Sequence, residues 1–169
     1  MKIHFVDNNF DVIKALEYAF KGIKEIDIQY GNILDLANDA IVSPANSYGY
    51  MDGGIDKLYY EYFGEKIQRK VIEKLNLIGG SLPVGSAFTI KTDDLKIPYL
   101  IFAPTVELPG PVNPCNCYFA MSAILKEAKR NGSVFKDIYC PGLCTGVGSV
   151  DYKIAANEML NAYLNWKRA

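Results

Sequence analysis

Short apolar segments alternate along this chain with longer segments of helical periodicity, and this alternation constrains the fold more than any other feature. In the first long segment, for example, Val12, Leu16 and Phe20 recur on one face of a helix. The polar residues 7–9 before it offer side chains that can cap its N-terminus. Such alternation is typical of α/β proteins, in which helices cover both faces of a largely parallel or mixed sheet.

The pattern predicts both kinds of element in a definite order. Strands are predicted over 2–6, 26–30, 39–43, 86–92, 98–103 and 137–140. Helices are predicted over about 10–21, from near residues 54–56 toward 63, in the segment that follows Gly64 and contains Leu75, over 114–130 and over 150–166. No internal repeat, low-complexity tract or linker interrupts the pattern, so we expect residues 1–169 to form a single domain.

Composition and charge narrow the classes of function. Of the 169 residues, 50% are hydrophobic and 22% are charged, as in an ordinary soluble globular protein. The formal net charge of −1 argues against long nucleic acids as partners, since these require a basic face. No apolar run reaches the roughly 18–20 residues that cross a bilayer, and the first apolar residues are too few for a signal peptide. We therefore expect a cytoplasmic protein without a membrane partner.

The cysteines do not predict a metal site. The chain contains Cys115, Cys117, Cys140 and Cys144. Their C-x-C and C-x3-C spacings do not match the usual zinc motifs, and the only histidine, His4, lies far away in sequence. We interpret the cysteines as free thiols, and we expect neither a metal nor another cofactor.

Two glycine-bearing loops each lead from an apolar strand into a helix. The first covers residues 44–54 after Ser43, and the second covers residues 141–149 after Cys140. Ligands of open α/β sheets bind beyond the carboxyl ends of the strands, where glycines allow close approach of the backbone. The helix that follows each loop is expected to aim its free N–H groups at the ligand. The two loops therefore predict a site that holds a diphosphate from both sides.

Two better-known phosphate-binding motifs do not fit these loops. Neither loop contains the G-x-x-x-x-G-K-[ST] sequence of P-loop NTPases. The glycines at 142, 146 and 148 do not have the G-x-G-x-x-G spacing of dinucleotide-binding Rossmann folds, and they occur late in the chain.

Both loops instead resemble the signature segments of the macro domain family. Residues 39–47 read DAIVSPANS, which is similar to the family's D-A-I-V-N-A-A-N-S. Residues 51–56 read MDGGID, which is similar to the G-G-G-V-D that follows. Residues 140–148 read CPGLCTGVG, which is similar to the late F-P-A-I-S-T-G-I-x-G segment.

Further segments agree with the family in order and spacing. Residues 31–33 (GNI) resemble G-D-I, residues 82–87 (LPVGSA) resemble C-P-T-G-E-A, and residues 101–105 (IFAPT) take the place of V-I-H-T-V. The resemblance extends along most of the chain, from about Lys2 to Ala162. The string over 43–56 looks most similar to a bacterial and phage branch that is labelled tail-protein-like.

The resemblance implies a three-layer α/β/α sandwich with a mixed, largely parallel central sheet and a cleft for ADP-ribose at the sheet's carboxyl end. Family members either bind this ligand only or hydrolyse its derivatives, such as mono-ADP-ribosyl proteins, O-acetyl-ADP-ribose and ADP-ribose 1″-phosphate. Three interpretations therefore stay open. The protein is a hydrolase, a binding or sensor module for ADP-ribose, an ADP-ribosylated partner or a related NAD-derived nucleotide, or a structural subunit of a phage-like assembly.

The resemblance also assigns ligand contacts residue by residue. It places Asn32 and Ile33 at the adenine and Asn46 at the distal ribose. The backbone contacts around the diphosphate and distal ribose are assigned to Gly53, Gly54 and Ile55 in the first loop and to Cys144, Thr145, Gly146, Val147 and Gly148 in the second. Both asparagines have a structural alternative, since Asn32 also suits a turn and Asn46 also suits an Asx-type cap.

Asp56 matches the aspartate that hydrolytic members use to orient or activate a water near the anomeric carbon. The alternative is a helix-capping carboxylate, and Asp52 is a second candidate for the catalytic role. Cys144 takes the place of a serine, and we interpret it first as a loop-packing residue, although thiols at helix N-termini can have a lowered pKa. Gly148 stands where the family often has an aromatic ring, which leaves Tyr48, Tyr50 and Tyr152 as candidates to supply one.

Overall fold

The computed structural model describes residues 1–169 and contains strands and helices in alternation. The strands are β1 (Lys2–Asp7), β2 (Ile26–Tyr30), β3 (Ala40–Ser43), β4 (Phe88–Lys91), β5 (Tyr99–Phe102) and β6 (Asp137–Cys140). The helices are α1 (Phe10–Ala19), α2 (Ile33–Leu36), α3 (Gly54–Phe63), α4 (Glu65–Asn76), α5 (Cys115–Arg130) and α6 (Tyr152–Arg168). No helix is both long and apolar enough to span a membrane.

All six strands form one sheet in the order β2-β1-β6-β3-β5-β4. Every neighbouring pair is parallel except β4 and β5, which are antiparallel. The prediction of a mixed, largely parallel sheet is therefore confirmed. Because β2, β1, β6, β3 and β5 run in the same direction, their carboxyl ends meet at one edge of the sheet, and the loops that follow them lie side by side.

Helices cover both faces of the sheet, which confirms the predicted three-layer α/β/α sandwich. One core cluster joins α1, α5 and α6 to one face, and a second cluster joins α2, α3 and α4 to the other. The strand β3 shows the alternation most clearly, because Val42 packs in the first cluster and Ile41 in the second, and both are fully buried. A strand that is buried on both faces reads as a continuous apolar run, as residues 40–42 do.

The predicted boundaries differ from the observed ones where capping residues decide them. The last helix begins at Tyr152 and not at Val150, because the Asp151 side chain accepts hydrogen bonds from the backbone N–H groups of Lys153 and Ile154. The predicted strand over 86–92 is shorter, at Phe88–Lys91. The four-residue helix α2 was not predicted, because it is too short to show helical periodicity.

The first glycine-bearing loop packs tightly against α4 at Gly49. This glycine has a φ of +77°, and a Cβ atom there would lie 2.9 Å from both Leu75 Cδ1 and Val71 Cγ1. Gly79 has a similar φ of +97°, but a Cβ atom there would meet nothing within 4 Å. Substitutions at these two glycines therefore distinguish the cost of backbone strain from the cost of steric overlap.

We predict that Gly49→Ala destabilises the protein by about 2–4 kcal/mol, whereas Gly79→Ala costs only about 1 kcal/mol. The first change adds overlap with the α4 side chains to the strain of a left-handed conformation, and the second adds only the strain. Urea unfolding of both variants and the wild type measures the difference. Equal losses in the two variants would show that the contact with α4 is unimportant.

Candidate functional site

A cavity of about 470 Å³ lies at the edge where the parallel strands end, and its size suits a nucleotide-like ligand. Its walls come from the loops that follow β1, β2, β3, β5 and β6. All of the site residues that the sequence analysis assigned line this cavity, namely Asn32, Ile33, Asn46, Gly53, Gly54, Ile55, Asp56, Cys144, Thr145, Gly146, Val147 and Gly148.

The first wall of the cavity is the N-terminus of α3. Gly53 is its N-cap and provides no side-chain cap. The backbone N–H groups of the next three residues, Gly54, Ile55 and Asp56, have no acceptor within the chain. Unpaired N–H groups at a helix N-terminus, together with the helix dipole, attract an anion.

The second wall is the loop after β6. The N–H groups of residues 143–148 have no acceptor within the chain. The loop is closed at its ends, because the N–H of Gly142 donates to Asp7 Oδ2 at 3.0 Å and the N–H of Val150 donates to the Cys144 carbonyl at 2.9 Å. Consecutive free amides in such a loop form a concave surface that suits an anion.

One expectation about the second loop is wrong. The helix α6 was expected to aim free N–H groups at the ligand, but Asp151 Oδ1 accepts from the N–H groups of Lys153 and Ile154 at 3.0 and 3.1 Å. These two donors are therefore satisfied within the helix, and the second wall consists of the loop amides alone.

Asp7, at the end of β1, holds the second loop in place and was not identified as a site residue from the sequence. Its Oδ2 accepts from Gly142, and its Oδ1 accepts from the N–H of Asn9 at 2.9 Å. Gly142 approaches α1 so closely that a Cβ atom would lie 2.6 Å from Val12 Cγ1. The hydrogen bond between Asp7 and Gly142 joins residues 135 positions apart, so sequence spacing could not reveal it.

Asp56 lies in the first turn of α3 and is only 6% exposed. Its Oδ1 accepts a hydrogen bond of 2.6 Å from the hydroxyl group of Ser43, the last residue of β3. Burial raises the pKa of Asp56 from its usual 3.8 to about 6, and the hydrogen bond from Ser43 acts in the opposite direction. The Asp56 carboxylate makes no capping hydrogen bond, because Gly53 is the N-cap and Asp56 Oδ1 bonds to Ser43, but it does lie in the first turn, where the helix dipole favours a negative charge.

Asp52, the second candidate for the catalytic role, also lines the cavity but is exposed. Burial gives Asp56 a pKa closer to neutrality, which suits a general base. Of the two carboxylates, only that of Asp56 is buried.

The Asn46 side chain is engaged within its own loop. Its Oδ1 accepts from the N–H groups of Tyr48 and Tyr50 at 3.1 and 3.2 Å, and its Nδ2 donates to the Tyr50 carbonyl at 2.8 Å. This is the Asx-type alternative that the sequence left open. One N–H of the Asn46 amide is left for a ligand.

Asn32 also has a structural role, as the N-cap of α2. Its Oδ1 accepts from the N–H of Leu34 at 3.0 Å, which leaves the Nδ2 group without an intramolecular acceptor. The next residue, Ile33, has a buried side chain and a backbone N–H without an acceptor. Apart from the second lone pair of Asn32 Oδ1, the free side-chain and N–H groups that these two residues contribute to this end of the cavity are donors.

The Cys144 thiol does not face the ligand space as a reactive group. It is buried in the core cluster on the α5 and α6 side. A hydrogen bond with the Cys117 thiol, and then burial, raise the pKa of Cys144 well above its usual value. The possibility of a lowered pKa is therefore wrong, and the loop-packing interpretation agrees with the structure. No group of three or more His, Cys, Asp and Glu side chains is arranged to hold a metal ion.

A ring cannot replace Gly148, because a Cβ atom there would lie 2.9 Å from the Cys144 carbonyl oxygen and 3.1 Å from Val112 Cγ2. Among the three candidate tyrosines, Tyr50 lines the cavity and is 53% exposed. Tyr48 stacks on it with ring centroids 6.3 Å apart. Tyr152 does not line the cavity, and its hydroxyl accepts from Asn9 Nδ2.

The loop after β5 adds lining residues that the sequence analysis did not assign, namely Thr105, Val106 and Pro109. β5 pairs with β3 in parallel, and Val106 forms an isolated parallel bridge with Asn46. A prediction that β5 lies beside β3 in the sheet would have identified the loop after β5 as part of the cavity wall.

We predict that Asp56 makes the stability of the protein depend on pH. Its folded pKa of about 6 lies above its usual 3.8, so the folded state binds the proton more tightly than the unfolded state does. Stability is therefore lost as the pH rises from 3.8 to about 6, by about 3 kcal/mol. In urea unfolding, the free energy of unfolding of Asp56→Asn relative to that of the wild type should rise by roughly this amount between about pH 4 and about pH 7. A constant difference across that range would contradict the buried, ionisable carboxylate.

Comparison with known proteins gives a consistent family assignment. A model described as "Macro domain" matches residues 42–159. An uncharacterized protein of Aquifex aeolicus is 36% identical over 137 residues, which cover 80% of this chain and 79% of that protein.

Two solved structures share the fold at low sequence identity. The macrodomain of Mycobacterium tuberculosis DarG is 19% identical with a TM-score of 0.68, covering 80% of this chain and 87% of that one. A mutant of the Oceanobacillus iheyensis macrodomain with ADPR is 21% identical with a TM-score of 0.65, covering 76% of this chain and 70% of that one. Because the family model matches more than half of the length of this chain, the chain belongs to the macro domain family.

Proposed function

We propose that the protein binds ADP-ribose, or a derivative of it, in the cavity at the carboxyl edge of the sheet. The observation that carries this proposal is the pair of cavity walls with unpaired backbone N–H groups, over residues 54–56 and 144–148. The walls follow β3 and β6, which are neighbours in the sheet. A diphosphate between them would accept hydrogen bonds from both sides. The solved macrodomain with ADPR supports the choice of ligand.

The two ends of the cavity suit the two ends of such a ligand. On the β1 and β2 side, Val12, Ile33 and Leu34 supply apolar surface and Asn32 a free amide, which suits a nucleobase. On the β5 side, Tyr50 supplies an exposed ring, and Asp56 supplies the carboxylate, so the distal ribose belongs there.

We propose that the protein also hydrolyses the bond at the anomeric carbon of the distal ribose. With a pKa of about 6, Asp56 is ionised at neutral pH and can take a proton from water. The water oxygen would attack the anomeric carbon as the leaving group departs, and the loop amides would hold the diphosphate. Mono-ADP-ribosyl proteins, O-acetyl-ADP-ribose and ADP-ribose 1″-phosphate are the substrate candidates.

A non-catalytic binding or sensor module is the second candidate function. Two observations favour it. The Asn46 amide is engaged in its own loop, and Gly148 leaves no space for a ring beside the second wall. Such a module would bind ADP-ribose, an ADP-ribosylated protein or a related NAD-derived nucleotide.

We further propose that residues 1–169 form one macro domain and that it acts in the cytoplasm. Its sequence likeness to the tail-protein-like branch stays a prediction. A structural role in a phage-like assembly is the least supported interpretation, because a vestigial site would have no reason to keep two walls of free amides.

Calorimetry and a turnover assay together test the proposed function. Calorimetry should show binding of ADP-ribose to the wild type, and no heat at millimolar ligand would contradict both candidate functions. Release of ADP-ribose from a mono-ADP-ribosylated protein should be lost in Asp56→Ala while binding is kept. Binding without release by the wild type would favour the sensor module.

We predict that Val147→Pro weakens ADP-ribose binding about 10-fold or more, as expected for loss of one hydrogen bond to a charged group. Val147 is the second residue of a turn in which the N–H of Ser149 donates to the Gly146 carbonyl, a position that favours proline. The change therefore removes a free N–H and keeps the turn. Val147→Ala is the matched control, since its side chain is 52% exposed and its N–H remains. Equal affinities of the two variants, measured by calorimetry, would argue against a contact at this amide.

We predict that Asn32→Asp increases the preference for an adenine ligand over its hypoxanthine analogue. Aspartate keeps the N-cap of α2, but it offers the exocyclic amino group of adenine a free carboxylate oxygen in place of an amide donor. Competition binding with ADP-ribose and inosine diphosphate ribose measures the preference. An unchanged ratio would place the base away from Asn32.

A further inference from the structure

Ser43 makes the only hydrogen bond that a side chain gives to the Asp56 carboxylate. Its hydroxyl donates to Oδ1 at 2.6 Å, and Ser43 itself is 1% exposed. The second carboxylate oxygen, Oδ2, has no hydrogen-bond partner within the chain, and Asp56 lines the cavity. The hydroxyl therefore fixes one oxygen and leaves the other free.

The position of the Ser43 hydroxyl is itself fixed by the sheet. Ser43 pairs with Phe102 in the parallel ladder of β3 and β5, and its carbonyl accepts from the N–H of Ala103 at 3.0 Å. Tyr59, one turn after Asp56 on α3, donates from its hydroxyl to the Val42 carbonyl at 3.0 Å and ties the helix to the same strand. The donor and the carboxylate are thus held by two anchored elements.

We propose that Ser43 is a positioning residue, which holds Asp56 so that its free Oδ2 faces the water that attacks the substrate. This inference rests on the proposed hydrolysis. In the step, a water O–H bond breaks and its proton moves to Oδ2. The water oxygen bonds to the anomeric carbon as the bond from that carbon to the leaving group breaks, and the leaving group takes the electron pair.

The same hydrogen bond influences the proton affinity of the base. It lowers the pKa of Asp56 against the larger effect of burial. Among the surrounding titratable groups, Tyr59 faces Asp56 from the same helix, and Cys140 on β6 and Asp7 on β1 lie close enough to raise the pKa of Tyr59. Without the hydroxyl, the pKa of Asp56 would rise further, and the carboxylate would be ionised only at higher pH.

The test compares Ser43→Ala and Ser43→Thr with the wild type in pH profiles of ADP-ribose release. We expect Ser43→Ala to move the acid limb of the profile up by about one pH unit. We also expect it to lower turnover on the plateau above that limb about 10-fold, because the carboxylate is no longer held in position, with ADP-ribose affinity unchanged. Ser43→Thr keeps the hydroxyl and should restore the wild-type limb. Ser47→Ala is the matched control, because Ser47 is also buried, at 3% exposed, but its hydroxyl donates to the Val106 carbonyl and not to a carboxylate.

Two results would overturn the inference. A Ser43→Ala profile that coincides with the wild-type profile in both plateau and acid limb, in a variant whose urea unfolding shows it to be folded, would mean that the hydroxyl does not position the base. Absence of turnover in a wild type that binds ADP-ribose would remove hydrolysis and the positioning role with it. Carboxyl NMR titration of Asp56 without ligand separates the cases, since it shows whether the hydroxyl sets the pKa even if the proposed hydrolysis fails.

Discussion

Backbone N–H groups that the fold leaves unpaired are the constraint on which the candidate site depends. Strands β3 and β6 are parallel neighbours, but their ladder pairs only Ala40 with Ile138 and Ile41 with Tyr139. The chain leaves both strands soon afterwards, so two loops begin side by side at the same edge. Because neither loop continues the ladder, residues 54–56 and 143–148 keep their donors free. A protein that leaves so many donors unpaired in a cavity gains from an anion that accepts from them.

Hydrogen bonds to two carboxylates tie the walls of the site to the sheet, and one of these carboxylates, Asp56, reduces the stability of the fold when it is ionised. Asp7 connects the second loop to β1 through Gly142, and Ser43 connects α3 to β3 through Asp56. Both connections join a carboxylate to a donor near the end of a strand, so hydrogen bonds tie both walls to the sheet. The buried Asp56 carboxylate reduces stability once it is ionised, because burial raises its pKa to about 6. Groups that cost stability in this way are more common at functional sites than elsewhere.

Much of the fold could be predicted from local sequence, because the periodicity of each segment is local. The bounds of β2 and β6 were predicted to the residue, and all assigned site residues line one cavity. Contacts between distant residues could not be predicted, as Asp7 with Gly142 shows. The sequence also could not show whether a side chain bonds to a ligand or to the backbone. The roles of Asn46 and Asp151 depend on which backbone N–H groups lie within reach. The same side chains suit a ligand and a turn, and only the folded geometry separates the two.

The most direct test of the account is an NMR titration of the backbone amide resonances with ADP-ribose. Amides at 54–56 and at 144–148 should shift most and in parallel, because their N–H groups would gain acceptors on the diphosphate. Amides of β4, an edge strand of which no residue lines the cavity, should not move. Shifts confined to other surfaces, or to only one of the two walls, would contradict a diphosphate held between them.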